Sequence, residues 1–341
     1  MSPKTKLDII FGAMTFGEEG KHGVRTSDLA TCSSILDTFQ AHGHNEVDTS
    51  RVYGLGTSEE YLGALDWSSR KLSVHTKFYP NAAGGYGFSA THLTEGDMRK
   101  AVEESAEALK LKGAGDGKID LWYLHGPDRT VPLEETLAVV NAMFKEGKFK
   151  RWGISNYMSW EVAAICEICL KNNYPLPSVY QGLYNALHRT VEHELLPCLR
   201  KYNIAFYAFN PLAGGYLTDR YARDTTAANI EPGSRFDATN IQGKMYRMRY
   251  WNDAFFDALD VVRPAVKAKG LRESEAALRW IVNHSMLKRE YGDKVIIGAS
   301  SGKQLEMNLA DLEGAELDGE VLEALDKGWE ITRGIAWKYF H

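Results

Sequence analysis

An acid and a phenol stand five residues apart in the stretch Asn-Glu-Val-Asp-Thr-Ser-Arg-Val-Tyr-Gly-Leu-Gly, residues 45–56. Val47 closes a short apolar run of strand character, and Gly54, Gly56 and Thr57 read as a turn that opens a helix. Asp48 and Tyr53 are therefore expected at the C-terminal mouth of a strand. Three further strand-like runs end in polar groups: Lys77 closes Leu-Ser-Val-His-Thr-Lys, His125 closes Asp-Leu-Trp-Tyr-Leu-His, and Ser155-Asn156 follows Arg-Trp-Gly-Ile. An ammonium at the tip of an apolar strand needs a carboxylate, and Asp48 is one strand away. A lysine beside a tyrosine favours the phenolate, while burial alone raises the phenol's pKa. The expected product is a tyrosine able to give a proton near neutral pH, with His125 donating a hydrogen bond that orients a bound carbonyl. Taken singly, each also has an ordinary reading: turn former for Asp48, surface amine for Lys77, structural ring for His125. Their joint placement at neighbouring strand ends favours the chemical one.

The elements that must position these groups alternate strictly. Strand candidates fall at residues 8–12, 46–48, 72–77, 119–125, 151–155, 178–181, 204–209 and 295–298. Helical patterns occupy 27–41, 58–65, 94–111, 133–148, 159–171, 190–201, 254–269, 274–285, 304–312 and 318–329. Such alternation implies parallel strands with right-handed crossovers. An open dinucleotide-binding sheet would carry GxGxxG in its first turn, and Gly-Ala-Met-Thr-Phe-Gly at 12–17 lacks that spacing. The expectation is an α/β fold, a closed (β/α)8 TIM barrel forming one domain over residues 1–341. Two long loops, 78–93 and 213–252, would shape its C-terminal face.

Composition excludes other classes. With 44% hydrophobic and 25% charged residues the chain can bury a large core, and a net charge of -5 without basic stripes favours neither nucleic acid nor membrane as partner. No apolar leader segment or spanning window is found, which makes the cytoplasm the expected compartment. The four cysteines are too few for a disulfide framework. Cys166 and Cys169 form a CxxC inside a helical pattern with no completing ligands, so a packed helix face is expected and no metal.

These residues resemble a known family, the aldo-keto reductases. Asp48, Tyr53, Lys77 and His125 match its catalytic tetrad, and Asp48-Thr-Ser, Tyr53-Gly, Thr76-Lys77, Leu124-His-Gly-Pro-Asp128 and Glu146-Gly-Lys match its flanking motifs. Trp152-Gly-Ile-Ser-Asn-Tyr157, Val179-Tyr-Gln-Gly-Leu-Tyr-Asn185 and the run from Phe206 to Gly215 resemble the aflatoxin-aldehyde (succinic semialdehyde) reductase branch. The resemblance implies NADPH as cofactor. Ser155, Asn156 and Gln181 would hold its carboxamide, Phe209 would lie on the nicotinamide ring or else serve as a barrel-core aromatic, and Asn210, Leu212 and Gly214 would follow the pyrophosphate. In the turn after the last strand, Ser300, Ser301 and Lys303 would take the 2′-phosphate, with Gln304 and Asn308 at the adenosine.

The 213–252 loop carries Arg220, Arg223, Arg235, Lys244, Arg247 and Arg249 among aromatics, which suggests a flap whose cations reach phosphates or an acidic substrate; solvated surface charge is the alternative for each. Arg235 is the first choice because Pro232 and Gly233 could fix the loop. Met14, Phe16, Tyr86, Phe88 and Trp251 are candidates for an apolar pocket wall, and equally for core. The expected activity is NADPH-dependent reduction of aldehydes, or of ketones and dicarbonyls, to alcohols, with Tyr53 as general acid and a homodimer suggested by the branch. Two rivals stand beside it: a Schiff-base aldolase using Lys77, and an NADPH-binding regulatory subunit similar to potassium-channel β-subunits.

Overall fold

The computed structural model describes residues 4–84, 89–112 and 116–341. Eight parallel strands, β1 (Asp8–Gly12), β2 (Glu46–Asp48), β3 (Ser73–Phe78), β4 (Ile119–Leu124), β5 (Phe149–Ser155), β6 (Val179–Leu183), β7 (Ala205–Phe209) and β8 (Lys294–Ile297), pair in chain order and close on themselves as a barrel. Around them run α1 (Leu29–Ala41), α2 (Thr57–Ala64), α3 (Glu95–Ala108), α4 (Leu133–Lys145), α5 (Ser159–Asn172), α6 (Leu195–Lys201), α7 (Ile241–Tyr250), α8 (Asp253–Ala268), α9 (Glu273–Asn283), α10 (Gly302–Leu312) and α11 (Gly319–Thr332). The expected (β/α)8 TIM barrel is the observed one.

Period-two alternation in the strands sorts side chains into two cores. Ile10, Leu121, Tyr123, Val179, Tyr207 and Ile296 fill the barrel interior. Outward residues such as Phe11, Val74, Trp122, Ile154 and Phe206 pack with Leu36, Met98, Leu137 and Ile165 of the surrounding helices. At the barrel floor, charges satisfy each other: Arg151 donates to Asp120 at 2.6 Å and Lys294 donates to Glu46.

One helix was not expected. Within the segment read as loop, α7 forms because Asn240 caps it, its side chain accepting from the Gly243 amide, while Tyr246 and Tyr250 turn one face inward. Tyr250 stacks at 5.9 Å on Tyr216, and the same aromatic cluster holds Phe236, Trp251, Phe255 and Phe256. Cys166 and Cys169 are buried on the inner face of α5, and among the described residues no group of His, Cys, Asp or Glu is arranged to hold a metal. Among the described residues, no helix is long and apolar enough to cross a membrane.

Candidate active site

A cavity of about 910 Å³ opens over the C-terminal ends of the strands, and Asp48, Tyr53 and His125 stand in its wall. Lys77 lies just behind them, fully buried. Strand register explains the grouping: Asp48 pairs with Gly12 and His75, and Lys77 with Tyr123, so neighbouring strand tips bring the polar groups to one level. The Lys77 ammonium donates to Asp48 Oδ1 at 2.5 Å and to the Thr49 carbonyl at 2.7 Å, and lies 5.0 Å from the centre of the Tyr53 ring. Asp48 accepts a second hydrogen bond, at 2.9 Å, from the Gln181 amide.

Tyr53 is delivered by a tight turn. Gly54, Leu55 and Gly56 all take positive φ, at 57°, 55° and 97°. A side chain on Gly54 would meet Thr57 Oγ1 at 2.6 Å, which is why this position needs glycine. Thr57 donates to the Gly54 carbonyl at 2.7 Å, and Arg51 reaches the buried Glu59, which also accepts from Thr76 of β3 at 2.5 Å. The turn is thus tied to the strand that carries Lys77.

Electrostatics correct one expectation. Burial pushes the Tyr53 phenol above its ordinary value, and the Lys77 ammonium opposes that shift without reversing it. In the free protein Tyr53 is therefore a protonated phenol over the whole neutral range rather than one poised near pH 7. Lys77 is held charged: burial works against the ammonium, but Asp48 and Tyr53 outweigh it and its pKa rises. A Schiff-base nucleophile needs a free amine, so this arrangement disfavours the aldolase alternative. The His125 pKa falls well below the ordinary imidazole value through burial, with Lys77 and His341 adding to the effect. His125 is a neutral ring, edge-on to both Tyr53 and Tyr79.

The expected cofactor residues fall largely along the same cavity. Ser155, Asn156, Gln181, Phe209, Asn210, Leu212, Gly214, Arg235, Ser300, Gln304 and Asn308 all line it. Asn156 adopts a left-handed φ of 67° and donates to the His125 carbonyl at 2.8 Å, which leaves its own amide oxygen free to accept. Arg235 donates to Tyr246 at 2.5 Å and to Asn210 Oδ1 at 3.2 Å. Among the described residues the buried amide nitrogens of Asn210 and Asn308 find no partner, which makes them donors suited to a dinucleotide's acceptor atoms.

Two expected residues do not reach the cavity wall. Ser301 caps α10, its hydroxyl oxygen accepting from Gln304 N at 3.2 Å, and Lys303 is exposed. Arg272 and Ser274, at the start of α9, do line it and were not foreseen; a Lys/Arg-plus-Ser pair opening a helix was the available signal.

The flap arginines divide. Arg223 is held by Asp253 and Asp257 at the surface, and Arg247 donates to the Phe236 carbonyl, whereas Arg249 reaches the cavity with its Nε buried and, among the described residues, unpartnered. Of the proposed pocket wall, Met14 lines the cavity. Phe16 is instead fully buried against Phe11, and Trp251 packs in the flap's aromatic cluster, because both rings have apolar partners behind the cavity wall. Tyr86 and Phe88 lie outside the described residues.

Residues 8–330 match the Aldo/keto reductase family. The chain is 44% identical to aldo-keto reductase pigE of Monascus ruber, over 100% of this chain and 99% of that one. It is 39% identical to aflatoxin B1 aldehyde reductase member 2 of Mus musculus, over 97% and 87%. Among solved structures, a glycerol dehydrogenase from Gluconobacter oxydans superposes with a TM-score of 0.69 at 22% identity, covering 97% of this chain and 93% of that one, a likeness of fold.

Proposed function

The chain belongs to the aldo/keto reductase family and is an oxidoreductase of carbonyl compounds; from that premise we propose that it reduces aldehydes, and by extension ketones or dicarbonyls, to alcohols with NADPH. The observation that carries this reading is the buried Asp48–Lys77 pair set against Tyr53, with neutral His125 beside it in one cavity wall. Kinship with an aldehyde reductase supports the substrate class.

NADPH, when bound, supplies a hydride from nicotinamide C4. Ser155, Asn156 and Gln181 would hold its carboxamide: the Gln181 nitrogen is taken by Asp48, so its oxygen and that of Asn156 accept the carboxamide N–H groups. Phe209 would pack on the ring, Arg235 with Asn210, Leu212 and Gly214 would follow the phosphates, and Ser300, Gln304 and Asn308 the adenosine end. A carbonyl oxygen between Tyr53 and His125 accepts two hydrogen bonds that strengthen as negative charge develops on it. Tyr53 Oη gives its proton to that oxygen. Lys77 stabilises the phenolate left behind, and Asp48 keeps Lys77 charged in a buried place.

Purified protein mixed with a panel of aldehydes should oxidise NADPH only when aldehyde is present, with kcat/KM higher for NADPH than for NADH. Tight NADPH binding without turnover on any carbonyl would instead support the regulatory-subunit alternative.

A further inference from the structure

Ser50 follows Asp48 by two residues, is fully buried, and does no work in the mechanism above. Its hydroxyl oxygen lies 3.2 Å from His125 Nδ1 and 3.3 Å from the Lys77 carbonyl oxygen. We propose that Ser50 is a positioning residue that donates its hydroxyl proton to His125 Nδ1 and thereby fixes the ring as the Nε2–H tautomer, the form that can donate to a substrate carbonyl. This inference rests on the reductase reading for its meaning, but not for its measurement.

His125 is neutral, so a single ring nitrogen carries a proton. A hydroxyl has one proton to give, and Ser50 has two acceptors in reach. If it went to the Lys77 carbonyl, Nδ1 would have to donate to Ser50 and Nε2 would present a lone pair to the cavity. Two acceptors, Nε2 and the carbonyl oxygen, would then face each other. If it goes to Nδ1, Nε2–H faces the cavity and the oxygen is bound. The Lys77 carbonyl has a donor without Ser50, because the Arg51 amide reaches it at 3.4 Å. Among the described residues no other hydrogen bond to either ring nitrogen of His125 is formed, so nothing else there sets the tautomer. The ring is also fixed in direction: Asn156 holds the His125 carbonyl at 2.8 Å, and the rings of Tyr53 and Tyr79 stand edge-on at 5.9 and 5.5 Å. The proton position is then the one freedom left to the imidazole.

The test reads the ring directly. Long-range 15N–1H correlation spectra at neutral pH, with the His125 signals assigned by their loss in His125→Asn, should show Nε2 protonated and Nδ1 bare in the full-length protein. Ser50→Ala should shift the Nδ1 resonance toward an averaged, mixed tautomer and lower kcat/KM for an aldehyde about fivefold, the size of one neutral hydrogen bond, with NADPH affinity within twofold of the parent. Ser50→Thr, which keeps the hydroxyl, should restore both readings. A proton on Nδ1 in the unmodified protein would overturn the proposal, as would an unchanged His125 spectrum and unchanged kcat/KM in Ser50→Ala. Because the spectra need neither substrate nor turnover, failure of the reductase reading would show as absent activity with the tautomer intact.

Discussion

Replacing Lys77 by methionine separates the two tasks assigned to its ammonium. The charge sits 5.0 Å from the Tyr53 ring centre, and at an effective dielectric of about 20 a unit charge at that distance is worth about 3 kcal/mol to a developing phenolate. Lys77→Met should therefore slow aldehyde reduction by about 10²-fold or more. It should also cost stability, since Asp48, 3% exposed, would keep, among the described residues, only the Gln181 amide as a partner; an uncompensated buried carboxylate costs about 3–5 kcal/mol. Adding Asp48→Asn removes that orphaned charge. The double variant should regain most of the lost stability in thermal or urea unfolding and none of the lost rate. The assay pairs steady-state NADPH oxidation with unfolding curves on the parent, both single variants and the double. A Lys77→Met rate within fivefold of the parent, or a double variant that recovers activity along with stability, would refute the assignment.

Three further outcomes follow from the same structure. With Tyr53 raised and His125 depressed, kcat/KM for reduction should stay flat from pH 6 to pH 9, the His125 proton being gained only at more acid pH and the Tyr53 proton lost only above the ordinary phenol value; a bell centred near pH 7 would contradict both directions. His44 and His188 are buried with pKa values pushed down to about 4 and about 3, so the unfolded chain takes up protons below about pH 6.5 that the folded one refuses. Stability should fall on acidification by about 1.4 kcal/mol per pH unit for each of them in that window, and His188→Gln should flatten the slope of melting temperature against pH. Gly214 has a φ of 70°, and a Cβ there would lie 2.1 Å from the Tyr246 ring that Arg235 binds, so Gly214→Ala should weaken NADPH about tenfold by fluorescence titration while leaving aldehyde KM at saturating NADPH near the parent value.

Much of this was legible in the residues. Strand ends were readable because β-branched and aromatic runs stop abruptly at Asp48, Lys77, His125 and Ser155, and parallel register then places those tips together. The helix α7 was not, because Arg247 and Arg249 break its apolar face and Gly243 argues for a loop; its stability comes from Tyr246 and Tyr250 meeting Phe236 just before the helix and Tyr216 at the far end of the same segment. The sign of the Tyr53 shift was unreadable for a similar reason. Spacing reveals the lysine beside the phenol, but how much solvent the phenol loses is set by the whole cavity wall. Ser301 shows the ambiguity of a serine before a helix: its hydroxyl oxygen accepts the capping hydrogen bond from Gln304 N, while its proton remains available to an anion. Ser50 is legible only as part of the Asp48-Thr-Ser run, because a serine in a turn has an ordinary local role and only the fold brings His125 to it.

Tyr53→Phe tests most directly whether Tyr53 gives the proton. The variant keeps the ring edge that meets His125 at 5.9 Å and the face beside Lys77, and removes only the hydroxyl. Aldehyde reduction at saturating NADPH should fall by about 10²- to 10⁴-fold, the range contributed by a positioned acid, while the NADPH dissociation constant stays within about twofold of the parent. Turnover by Tyr53→Phe at the parent rate, with the cofactor still bound, would contradict the account.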